Sequence, residues 1–269
     1  MTDWDAAYDN RAAVGNAETY LDRWKTDASA FRDAMLLRLS CELNCVYGEK
    51  PRNRYDLFLP EGEARGLVIF IHGGYWRALD KSHFSHLAVG PLSHGWKVAI
   101  PSYTLAPEAR ISDITKEVAN AISVLAKAHE GPIRLAGHSA GGHLVSRMLC
   151  DDNLLDDDVY ARIENTVAVS GLFDLQHLPK TKMNDDLRLD DEEVKSESPV
   201  NFNPRENARI TCLVGGNELP EFVRQNELLE GWKPSGAKVR TISDQGKNHF
   251  SVIEPLADPQ SLLTMSLLN

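Results

Sequence analysis

The chain has 269 residues, 42% hydrophobic and 25% charged, within the ordinary soluble globular range and long enough for one sizeable core. Its net charge of −10 and pI near 5.4 argue against nucleic acid or an anionic membrane as partner, because both attract basic surfaces. Met1-Thr2-Asp3-Trp4-Asp5 lacks the basic start and apolar run of a signal peptide, and no apolar stretch approaches a membrane span, so a cytoplasmic location is expected.

A single domain over residues 1–269 is the simplest division, since α/β architectures commonly pass about 200 residues without splitting. Residues 1–45 read as a helical, charge-rich segment in which Tyr20, Leu21 and Trp24, then Met35, Leu36 and Leu39, can form an apolar stripe. This segment is expected either to cap an active site or to pack on the sheet. Cys41 and Cys45 have no second Cys/His pair at finger-like spacing. Together with Cys150 and Cys212 they are expected to be reduced core fillers. Residues 53–60 predict a strand. The unbroken apolar run at 67–71 predicts another, covered on both faces as in a parallel sheet under crossover helices. It runs into His72-Gly73-Gly74-Tyr75-Trp76, a glycine-rich turn whose main chain can approach a substrate closely. His72 precedes the amide donors and is expected to be a buried histidine that orders the loop.

A strand at 98–100 precedes a helix at 112–130, with Ile114, Val118, Ile122 and Leu125 on one face. Ser112 or Asp113 is expected to cap its start, and Gly131-Pro132 to end it. The strand at 133–136 leads directly into Gly137-His138-Ser139-Ala140-Gly141 and then a helix carrying His143, Leu144, Val145, Met148 and Leu149. Strand, G-x-S-x-G and helix in succession describe a nucleophile elbow, where Ser139 sits on a strained turn that needs small neighbours. Beyond a strand at 167–169, residues 175–206 carry an acidic run (Asp185, Asp186, Asp190, Asp191, Glu192, Glu193) and three prolines. They predict either a lid or a solvated connection. Strands at 210–214 and 239–243 complete an alternating pattern, which implies an α/β class with a mostly parallel, doubly wound sheet and helices on both faces.

A serine hydroxyl is a poor nucleophile at neutral pH, so Ser139 needs a base, an orienting acid and donors for an oxyanion. Glu218 follows the strand at 210–214, at the strand end where open α/β sheets gather reactive side chains; Asp174 and Glu221 are its rivals. Pro220 then begins a helix with Phe222, Leu228 and Leu229. Of the nine histidines, His249 alone lies beyond both the serine and Glu218, as the order serine, acid, histidine requires. The expected catalytic set is Ser139, Glu218 and His249. The amides of Gly73 or Gly74, with that of Ala140, are the expected oxyanion donors, and the chemistry needs neither cofactor nor metal.

These segments together resemble the kynurenine formamidase (arylformamidase) branch of the α/β hydrolases, near the hormone-sensitive-lipase-like esterases. The resemblance covers nearly the whole chain, from Tyr8-Asp9-Asn10-Arg11 through His72 to Trp76, Tyr103 to Pro107, Gly137 to His143, Ser170 to Leu175 and Asn248-His249-Phe250. Lipase-like esterases commonly carry a further glycine where Tyr75 stands. One departure stands out: the family usually has aspartate where Glu218 stands. The resemblance implies the α/β-hydrolase fold, Ser139, Glu218 and His249 as triad, and hydrolysis of an N-formyl aryl amide such as N-formylkynurenine. Tyr75, Trp76 and Tyr103 are expected to line an aromatic pocket, with packing of Trp76 beneath the oxyanion loop as the alternative. A general carboxylesterase acting on small esters shares the same machinery. A ligand-binding protein on an inactive hydrolase scaffold would be expected to lack a triad member. The expected partner is a small-molecule acyl substrate, with no nucleic acid or membrane and with a homodimer left open.

Overall fold

In the computed structural model, which describes residues 2–269, the strands are β1 (Cys41–Val46), β2 (Arg54–Phe58), β3 (Leu67–Ile71), β4 (Lys97–Pro101), β5 (Ile133–His138), β6 (Ile163–Val169), β7 (Arg209–Gly215) and β8 (Lys238–Asp244). They form one sheet in the order β1-β2-β4-β3-β5-β6-β7-β8. β2 runs antiparallel to β1 and β4, and every other neighbouring pair is parallel. This is the sheet of the α/β-hydrolase fold that the motifs imply.

The helices are α1 (Trp4–Tyr8), α2 (Asn10–Ala13), α3 (Ala17–Leu37), α4 (Val89–Ser93), α5 (Ile111–Ala128), α6 (Ala140–Arg147), α7 (Asp157–Tyr160), α8 (Asn184–Leu187), α9 (Asp191–Glu197), α10 (Pro220–Leu228) and α11 (Leu262–Leu268). Strand alternation divides the core between the two faces of the sheet. On β3, Leu67, Ile69 and Ile71 join Ile114, Val118 and Ile122 of α5, Leu144 of α6 and Phe222 of α10. Val68 and Phe70 join Trp24 and Met35 of α3 and Leu263 and Leu267 of α11. A strand buried on both faces must be apolar at every position, which is why the central runs show no alternation.

Three expectations change. The N-terminal segment is helical only as far as Leu37, and residues 41–46 form β1, with Cys41 opposite Phe58 and Cys45 opposite Tyr55. Cys41, Leu43 and Cys45 are half-buried while Glu42, Asn44 and Val46 are exposed, a period of two that fits a one-sided edge strand. Leu39, expected in the helical stripe, is 90% exposed. At α5 the cap is Arg110, whose main-chain N–H donates to Asp113 Oδ2 at 3.2 Å. Asp113 thus closes the first turn from inside it.

The acidic insertion is clamped down at its second half, with buried Glu193 and Glu197. Glu193 accepts the Ser112 N–H at 2.8 Å and pairs with Arg110. Glu197 accepts Thr115 Oγ1 at 2.7 Å and Arg147 Nε at 3.3 Å, and its carbonyl meets His143 Nε2 at 2.7 Å. Two carboxylates of this segment therefore fasten it to α5 and α6. Among the described residues, no helix is long and apolar enough to cross a membrane.

Candidate active site

Ser139 terminates β5 with φ 55° and ψ −118°, a left-handed backbone that a non-glycine residue adopts only when its surroundings impose it. Its N–H donates to Val169 O at 2.8 Å, and its carbonyl accepts the His143 N–H at 3.1 Å to start α6. The turn is tight enough to exclude side chains at two positions. A Cβ on Gly137 would stand 2.1 Å from Gly141 O, and one on Gly141 would stand 2.0 Å from Ile71 O.

His249 Nε2 lies 3.2 Å from Ser139 Oγ, and His249 Nδ1 lies 2.6 Å from Glu218 Oε2. An Nδ1–H given to Glu218 leaves the Nε2 lone pair facing the serine hydroxyl. The other Glu218 oxygen accepts the Ser170 hydroxyl at 2.6 Å and the Gly215 N–H at 2.7 Å. The carboxylate is wholly buried, so these bonds replace the water it has lost. The rival acids are engaged elsewhere. Glu221 is bound by Arg224, Gln225 and Tyr8, and Asp174 accepts from Gln176.

The loop bearing His249 is held from both sides. His138 Nε2 lies 2.8 Å from His249 O, and burial drives the His138 pKa well below the usual 6.5, so its ring is neutral. Asn248 Oδ1 accepts the N–H groups of Phe250 and Ser251 at 3.0 and 2.9 Å, while its amide donates to Tyr20 of α3 at 3.2 Å.

The loop after β3 passes directly over the serine. A Cβ on Gly73 would lie 3.0 Å from Ser139 Cβ, so only glycine permits this approach. Gly74 has φ 112°, and its carbonyl accepts the N–H groups of Arg77 and Ala78. Among the described residues, none accepts from the main-chain N–H of Gly73, Gly74 or Ala140. His72 is buried, as expected, with its ring 4.3 Å from that of Tyr103, and burial lowers its pKa to about 4.

A cavity of about 530 Å³ opens at this point, a size that suits a small organic ligand. Its wall includes Ser139, His138, His249 and Phe250, the loop residues Gly74, Tyr75 and Leu79, Tyr8, Asn10 and Trp24 from the N-terminal helices, and Lys182, Met183 and Asp186 from the insertion. Tyr75 reaches the wall. Trp76 and Tyr103 do not. Trp76 is fully buried, edge-on to His143 at 5.1 Å, and Tyr103 donates its hydroxyl to His72 O at 2.9 Å. Both lie beneath the loop, which turns through three successive positive φ angles from Gly74 to Trp76.

Ser170, Asn10, Trp24 and Met183 were not among the expected site residues. Only Ser170 carries a local signal: it directly follows the apolar run of β6, at the same edge of the sheet as the serine and the acid.

The family model BD-FAE matches residues 55–215. Kynurenine formamidase of Danio rerio is 34% identical over 236 residues, which cover 84% of this chain and 80% of that protein. A crystal structure from Silicibacter sp., provisionally named a thioesterase, superposes with a TM-score of 0.93 at 47% identity over the full length of both chains. An esterase of Pyrobaculum calidifontis shares the fold at 15% identity, with a TM-score of 0.69 over 96% of each chain. The chain belongs to the kynurenine formamidase-like branch of the α/β hydrolases and is a hydrolase of small acyl substrates.

Proposed function

We propose that the chain is a serine hydrolase in which Ser139, His249 and Glu218 act as nucleophile, base and orienting acid to cleave N-formyl aryl amides of the N-formylkynurenine kind. The observation that carries this reading is the hydrogen-bonded line from Glu218 through His249 to Ser139, at 2.6 and 3.2 Å. His249 Nε2 takes the Ser139 proton as Oγ attacks the formyl carbon. The amides of Gly73 or Gly74 and of Ala140 receive the developing oxyanion. Collapse of the intermediate breaks the carbon–nitrogen bond, and the imidazolium returns its proton to the departing aryl amine. Water, deprotonated by His249, then attacks the formyl-serine, releasing formate and restoring the hydroxyl. Glu218 keeps the proton of the resting imidazole on Nδ1.

Similarity to the zebrafish formamidase supports the formamide. The name of the 47%-identical Silicibacter protein favours a second reading, a thioesterase using the same machinery, beside the carboxylesterase that the sequence also allows. Comparing kcat/KM on N-formylkynurenine, an aryl acetate and an acyl thioester separates them. The formamide reading expects the first to lead by about tenfold or more, and a lead for either other substrate overturns it. Ser139→Ala is expected to cut turnover by about 10⁴-fold or more on every substrate and to abolish fluorophosphonate labelling. Near-wild-type activity in that variant would remove the triad assignment.

A further inference from the structure

The N-terminal residues on the cavity wall are tied to the loop after β3 by hydrogen bonds that acyl transfer does not use. The Tyr75 hydroxyl donates to the main-chain carbonyl of Tyr8 at 2.6 Å and accepts from Asn10 Nδ2 at 3.2 Å. Its one proton is committed within the protein, so it has none to offer a substrate. Asn10 is only 4% exposed. Tyr8 is anchored in turn, packed edge-on against Phe222 at 6.2 Å and donating its hydroxyl to Glu221 Oε1 at 2.9 Å. That carboxylate is held by Arg224 at 2.7 and 2.8 Å and by Gln225 at 2.9 Å.

The anchored end of this chain of contacts is α10, two residues beyond Glu218; the other end is the loop. Gly74, Tyr75 and Trp76 have φ values of 112°, 50° and 56°. Main-chain bonds from Arg77 and Ala78 to the Gly74 carbonyl and from Ala106 to the Trp76 carbonyl hold part of this run, and what grips its side chains holds the rest. Trp76 is gripped from below by burial, and Tyr75 is gripped by α1 and α2.

We propose that Tyr8 and Asn10 act through Tyr75 as positioning residues, making α1 and α2 a fixed strap that holds the amides of Gly73 and Gly74 over Ser139. The proposal rests on the serine-hydrolase reading above. It assigns Tyr75 to the oxyanion loop's geometry rather than to aromatic recognition of the substrate.

The test compares kcat and KM for the intact protein, Tyr75→Phe, Asn10→Ala, the double variant and Ser139→Ala on a single aryl acetate. It adds the affinity for an arylboronic acid, whose tetrahedral adduct on the serine uses the same donors. Tyr75→Phe is expected to lower kcat by roughly 10- to 100-fold with KM within about threefold, and to weaken the boronate in parallel with kcat/KM. Asn10→Ala should show a smaller loss of the same kind. The double variant should fall no further than Tyr75→Phe, since both changes cut one link. Wild-type kcat and boronate affinity in Tyr75→Phe, or losses that multiply in the double variant, overturn the proposal. If Tyr75→Phe does not fold, the split between kcat and KM in Asn10→Ala decides the matter: a loss confined to kcat supports the strap and an unchanged kcat overturns it. An active Ser139→Ala defeats the hydrolase reading and the strap together. An inactive Ser139→Ala beside an unaffected Tyr75→Phe defeats the strap alone.

Discussion

The two sides of the cavity are fixed by different means. On the sheet side, Ser139, Glu218 and His249 sit beyond the C-terminal ends of β5, β7 and β8, and main chain packs on main chain so closely that Gly137 and Gly141 admit no further atom. On the opposite side, alongside the apolar packing of Tyr8 and Trp24, the N-terminal helices and the insertion are attached by side-chain hydrogen bonds that reach far along the sequence: Tyr75 to Tyr8, Tyr8 to Glu221, His143 to Glu197. The serine turn is thus placed by backbone geometry that cannot relax, while the far wall combines buried aromatic packing, such as that of Trp24, with polar contacts that can be exchanged one at a time.

Four measurements would break or sharpen that contrast. The largest effect belongs to Gly141→Ala, whose Cβ must enter the Ile71 carbonyl at 2.0 Å. A loss of at least about 3 kcal/mol in urea unfolding, or no soluble protein, is expected; stability equal to the parent would show that the elbow can yield. Next, Glu218→Gln keeps shape and fold but withdraws the charge that orders the imidazole, and kcat should drop by about 10³- to 10⁴-fold. A drop of less than tenfold would move the acid to another residue.

Ser170→Ala is milder. It removes one hydrogen bond to the buried Glu218 carboxylate and leaves Gly215 N–H in place, so kcat should fall by about tenfold at unchanged KM. An unchanged kcat would confine Ser170 to packing. The smallest effect depends on pH. His72 and His143 are buried and neutral, with pKa values lowered by burial from the usual 6.5 to about 4 and about 3. A group whose folded pKa is depressed stabilises the fold above its unfolded pKa and loses that contribution as pH falls toward the folded value. Tm should therefore decline between about pH 6.5 and 4. His143→Gln, which can keep a donor for the Glu197 carbonyl, should flatten part of that decline. An unaltered slope would place the acid sensitivity elsewhere.

The same contrast explains what could be read from the sequence. The central strands and the Ser139 elbow are local patterns, an apolar run or a glycine spacing, and the order of acid and base follows from strand ends. Those elements lie where the patterns put them, with Glu218 and His249 brought to Ser139. The edge strand β1 was hidden because its alternation spans only six residues next to a long helix. The sequence leaves Trp76 between the pocket and packing beneath the loop and points Tyr103 to the pocket, because it shows that aromatic residues flank a loop but not on which side of it they fall. The strap is illegible for a different reason: nothing in the sequence pairs Tyr8 and Asn10 with Tyr75, or Tyr8 with Glu221, until the fold brings them together.

The bond from Tyr8 to Glu221 joins residues 213 positions apart. Chains emerge from the ribosome N-terminus first and fold as they lengthen, so Tyr8 appears early and has no partner until α10 follows. Contacts this distant in sequence close late, because the loop between them must first be ordered. The nascent chain therefore carries a formed serine turn before the strap that sets its oxyanion loop can close, and His249 arrives later still. Catalytic competence is the last property this molecule acquires.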